Sequence, residues 1–135
     1  MSQSPVLHYN VPLPIAEAEV ALRAALQAQG FGILTEVDVA ATLRQKLGVE
    51  TRPHRLLGAC NPRIAHASLQ IDPNVGAFLP CGISLREGDS AARTVVVAQN
   101  PGMISDSFAA PGLNAPATEA LNLIRAALDT IGSEA

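Results

Sequence analysis

The chain has 135 residues, 48% of them hydrophobic and 16% charged, which suffices for one buried core and not for two. The low charged fraction and the abundance of Leu, Val, Ile and Ala exclude disordered, collagen-like, coiled-coil and low-complexity classes. Nine basic against twelve acidic residues leave a net charge of −3. The basic residues are Lys46 and eight scattered arginines, so there is no clustered footprint for a phosphate backbone. Three Phe, one Tyr and no Trp make a poor base-stacking platform. Nucleic acid is therefore not an expected partner.

No segment has the roughly 18 uninterrupted apolar residues of a membrane span. Met1 to Asn10 carries neither a basic n-region nor a long apolar h-region, so no secretory signal and no membrane partner are expected. The expectation is one soluble cytoplasmic domain over residues 1–135, its core at about 5–132, with both cysteines reduced.

Pro5 to Val11 alternates Val6, His8 and Asn10 against Leu7, Tyr9 and Val11, the pattern of a strand. Ile15, Ala18, Leu22, Ala25 and Leu26 then recur at helical spacing, with Glu19 and Arg23 four apart on another face and Gly30 as the stop. Phe31 to Val37 is predicted as a strand with Phe31, Ile33 and Val37 on one face. Asp38 caps a short helix that carries Leu43 and Leu47 and closes at Gly48. Arg55 to Ala59 reads as a strand running into Cys60-Asn61-Pro62. Asn at N-cap followed by Pro starts a helix there, with Ile64, Ala65, Ser68 and Leu69 inward and Pro73 ending it.

Gly82 to Glu87 and Arg93 to Ala98, joined through Gly88-Asp89-Ser90, form a β-hairpin. Asn100 to Asn114 reads as an irregular loop, and a last helix from near Pro116 carries Ala117, Leu121, Ile124, Leu128 and Ile131 as far as Gly132. The order is β-α-β-α-β-α-β-β-α, with no internal repeat. The expected fold class is α+β: a mostly antiparallel sheet of about five strands with four helices packed on one face. A parallel three-layer arrangement is the alternative.

Leu57-Gly58-Ala59-Cys60-Asn61-Pro62 with Ala65 downstream, then Leu79-Pro80-Cys81, and before them Gly30-Phe31-Gly32-Ile33-Leu34, resemble the family called domain of unknown function 302. The likeness runs from about Ile15 to the final helix. The resemblance implies a compact α+β fold similar to the TATA-binding-protein-like class and compatible with dimers, and it implies no established activity. The prolines leading into the first helix, Pro12 and Pro14, depart from the family pattern.

Cys60, Asn61, Pro62 and Cys81 are the candidate ligand or thiol site. If the strand ending at Cys60 pairs antiparallel with the strand beginning at Cys81, both thiols meet at one end of the sheet, near disulfide range. A position just before a helix N-terminus should lower the Cys60 pKa. Inert packed thiols are the plain alternative. A metal site needs more ligands, and His8, His54 and His66 have no fixed relation to the cysteines, so no metal ligand set is assigned. No phosphate-binding Gly motif and no nucleophile elbow is present.

Three functions stay open. The first is a domain that binds a small molecule or metal, or senses redox state, at Cys60/Cys81, with residues 100–114 as a lid. The second is a thiol-dependent redox enzyme in which Cys60 attacks and Cys81 resolves. The third is a structural dimerisation module. No cofactor can be named, and the apolar fraction of so small a domain leads us to expect a homodimer.

Overall fold

The alternation read at the N-terminus builds β1 (Val6–Val11), which buries Leu7, Tyr9 and Val11 on one face. The computed structural model describes residues 4–135, so residues 1–3 of the expected domain lie outside the described residues. Helix α1 (Ile15–Ala28) turns Ala18, Leu22 and Leu26 to the interior. Gly30, at φ 86°, takes the left-handed conformation that lets the Phe31 amide return to the Leu26 carbonyl at 3.0 Å. β2 (Gly32–Asp38) leads directly into α2 (Val39–Leu47), where the Asp38 carboxylate accepts from the Ala41 amide at 2.9 Å and Gly48 closes the helix.

β3 (His54–Cys60), α3 (Pro62–Ile71) and a 3₁₀ helix (Pro73–Phe78) follow, then the hairpin β4 (Cys81–Glu87) and β5 (Thr94–Gln99). α4 (Pro101–Ser105), α5 (Asn114–Asp129) and β6 (Ser133–Glu134) complete the chain. The strands form one sheet in the order β2-β3-β4-β5-β1-β6, and every neighbouring pair is antiparallel. The core lies between one face of that sheet, carrying Leu57, Ile83, Leu85 and Val96, and the apolar stripes of α1 and α5. The fold is α+β.

Several details depart from the sequence reading. The sheet has a sixth strand, because the chain after Gly132 returns along β1 and the Ala135 amide donates to the His8 carbonyl at 2.8 Å. Residues 100–114 are not an irregular loop: Asn100 accepts from the Gly102 amide and starts α4, and a 3₁₀ turn at Pro111–Leu113 leads into α5. The described residues thus contain five α-helices rather than four.

In β2 the register shifts between Ile33 and Thr35, so Ile33 pairs with Ala59 on the core face while Val37 pairs with Leu56 on the opposite face. The extra residue breaks the two-residue period, so Phe31, Ile33 and Val37 do not share a face. The shift instead turns Glu36 toward Arg23 and Arg55, with which it pairs. On α3, Ile64 is buried but Leu69 points outward.

Candidate functional site

Four of the six antiparallel strands, β1, β2, β3 and β5, run into the helix that follows them, and the site forms where β3 and β5 end. β3 finishes with Ala59 and Cys60, and Asn61-Pro62 begins α3. The Asn61 side chain accepts from the Ile64 amide at 3.4 Å and donates to the Gln29 carbonyl at 3.4 Å. β5 finishes in the same way with Gln99, Asn100 and Pro101. Asn100 accepts from the Gly102 amide at 2.9 Å and donates to the Ser4 carbonyl at 3.0 Å. Each asparagine therefore both caps a helix and ties down the chain just before a neighbouring region. The second Asn-Pro carries the same helix-start signal as the first, and it is the signal that could have found α4 where an irregular loop was expected.

Between these two helix starts, the 3₁₀ helix and α5 lies a cavity of about 70 Å³. Ala59, Cys60 and Cys81 contribute to its wall from the sheet, Ile64, Ala65 and Ser68 from α3, and Val75 and Phe78 from the 3₁₀ helix. Ile104 and Ser105 of α4 and Ala117 and Ala120 of α5 complete it. No charged side chain lines it. Its polar side chains are already engaged with the backbone: Ser68 donates to the Ile64 carbonyl, Ser105 to the Gly102 carbonyl, and Gln99 to the Phe78 carbonyl. Gln99 also accepts from the Gly82 amide at 3.2 Å. Phe78, 45% exposed, borders solvent and meets Phe108 edge-on with ring centroids 5.8 Å apart, which ties the 3₁₀ helix to the segment after α4.

Of the residues singled out from sequence, Cys60, Asn61 and Cys81 come together on this cavity, while Pro62 sets the start of α3 and stays exposed. The thiols do not form the expected near-disulfide pair. Both are free and out of disulfide distance, because the register sets Cys81 opposite Ala59 and consecutive strand residues point to opposite faces. Nor is the Cys60 pKa lowered. Burial pushes the Cys60 thiol up, and the helix start offers it little: Pro62 has no N–H and the Ile64 amide is taken by Asn61. Cys81 is pushed up to about 11 by burial and then by the proximity of Cys60. Both thiols are thus held protonated at neutral pH.

The histidines lie elsewhere. His66 is exposed, His8 stands in β1, and His54 shares a 2.8 Å hydrogen bond with Ser84 on the sheet face away from the core. Among the described residues no three His, Cys, Asp or Glu side chains converge to hold a metal ion. No helix among them is long and apolar enough to cross a membrane. Asp72 caps the 3₁₀ helix by accepting from the Asn74 amide. The cavity walls added by the 3₁₀ helix and α4 escaped the sequence reading, since single apolar residues in short irregular helices leave no periodicity.

An antiparallel α+β fold with an apolar, thiol-walled cavity at one end of the sheet defines the class of the domain. The chain matches the family model for the domain of unknown function DUF302 over residues 7–131, and it belongs to that family. Its fold is similar to the crystal structure of an uncharacterized conserved protein DUF302 from Bacillus stearothermophilus. The TM-score is 0.88 and the identity 26%, over 96% of this chain and 99% of that chain. No curated protein matches the chain.

Proposed function

We propose that this domain binds a small, uncharged, apolar ligand in the cavity walled by Cys60 and Cys81, without transforming it. The observation that carries this reading is the state of the lining: no charge, and polar side chains committed to backbone partners. Such a surface offers a ligand dispersion contacts and two polarisable thiols. It offers an ionic group nothing to pair with, and burying an unpaired charge is costly. A cavity of about 70 Å³ exceeds the space of a single water, and apolar cavities take up apolar guests.

The raised pKa values of both cysteines favour binding over thiol chemistry, in which an attacking sulfur must be a thiolate. The test is uptake of xenon in solution. The ¹²⁹Xe resonance should shift saturably with the wild-type protein and lose that response in Ala117→Leu, whose added side chain fills the cavity. A response that is absent in the wild type, or unchanged in the folded variant, would refute the proposal.

A further inference from the structure

The sheet has a second face, opposite the core, on which no helix of the core packs. The register lays its side chains out in transverse rows. One row runs Val37, Leu56, Ser84, Val97 and His8 across β2, β3, β4, β5 and β1. A second row, from Thr35 through Gly58 and Gly82 to Val6, flanks it on the cavity side; a third, from His54 through Arg86 to Asn10, lies on the other. Across these three rows Arg86 is the only formally charged residue. Over the whole chain 16% of residues are charged, and these rows fall below that share. Val6, Val37 and Leu56 are 38%, 43% and 41% exposed.

We infer that this face is the interface of a homodimer, two copies meeting sheet to sheet. Loss of charge from the centre of a patch, with charge kept to its rim, is the compositional mark of an interface; here Arg86 stands in an outer row. A neutral face gives a charged partner no complement, whereas a second copy presents the same neutral rows, and a two-fold axis sets each patch against itself. The glycines also matter. Gly82, above which an added methyl would meet nothing nearer than the Gln99 side chain at 3.7 Å, leaves the second row low beside Val97, whereas Thr35 and Pro80 fill the space over Gly58. Five strands at ~4.8 Å spacing and three rows at ~6.8 Å span roughly 500 Å² in projection. Side-chain relief enlarges that toward the ~800 Å² per partner of a standard interface. Gln99, next to Val6 in the second row, also borders the cavity, but the interface inference needs no ligand and stands apart from the ligand reading.

The experiment is light scattering coupled to size-exclusion chromatography, from micromolar to about 100 µM protein. The wild type should give twice the chain mass of 14.0 kDa. Leu56→Glu and Val37→Glu each set like charges against each other across the axis, which should weaken the dimer by at least about 100-fold. Both positions are exposed enough in one chain to accept the change, and unaltered circular dichroism of either variant establishes that it is folded. Val20→Glu, at a 70% exposed site on α1, should leave the dimer intact. A monomeric wild type at 100 µM, or a dimer that persists in either folded face variant, would overturn the inference.

Discussion

Ala59, and not Cys60, stands opposite Cys81 across β3 and β4. That offset of one residue keeps the two cysteines from facing each other directly across the strands. Both sulfurs border the same cavity as free thiols, and burial there disfavours the thiolate at each.

The first prediction concerns their reactivity. With both pKa values raised by burial, each thiol in the folded protein should alkylate more slowly at pH 7.5 than in urea-unfolded chain. Cys81, pushed up to about 11, should be the slower of the two. Mass-resolved iodoacetamide kinetics measures this directly. Reaction of Cys60 at the rate of a free thiolate would return the redox-enzyme reading to the front.

A second prediction follows from the outer face. A methyl group added at Gly58 would overlap the Thr35 hydroxyl and the Pro80 ring. Gly58→Ala should therefore cost about 1–3 kcal/mol, the usual penalty for overpacking, seen as a lower urea midpoint. Gly82, where an added methyl meets nothing closer than the Gln99 amide at 3.7 Å, should tolerate alanine far better. Equal midpoints for the two variants would show that Thr35 and Pro80 move aside freely.

The third prediction is a pH dependence. Glu19 accepts from Arg55 at 2.9 Å and from Arg23 at 3.1 Å. These bonds, Arg55 first, hold its carboxyl below the ordinary value of 4.5 despite partial burial. A group whose folded pKa is depressed stabilises the fold above its unfolded pKa, and that stability is lost as the pH falls through the folded value. Stability should thus be maintained near neutrality and decline below about pH 4.5. Glu19→Gln should start lower and show a shallower decline, measured as the urea midpoint between pH 7 and pH 3. A decline of the same depth in both proteins would remove Glu19 from the explanation.

Where periodicity was strong, the sequence was a sufficient guide. β1, α1 and the β4–β5 hairpin alternate or repeat over six or more residues, and each element lies where its pattern placed it. Asn61-Pro62 announced α3 through local chemistry alone. The failures have equally local causes. The bulge at Leu34 shifts the parity of β2, and no alternation rule anticipates an inserted residue. β6 is two residues long, too short to carry a pattern, and exists because the chain end finds the free edge of β1. The site was half legible: Cys60, Asn61 and Cys81 were named from sequence, but the thiol environment depends on burial by Val75, Phe78 and Ile104. Those residues reach the cavity from separate short helices.

The most direct test of the central claim, an apolar ligand site at Cys60 and Cys81, is a ¹⁵N amide map of xenon binding. The account predicts saturable shifts concentrated at Cys60, Ala65, Phe78, Ile104 and Ala117, all on the cavity wall, and their loss in Ala65→Leu with the remaining spectrum preserved. Shifts confined to other parts of the chain, or none up to saturating xenon, would contradict it.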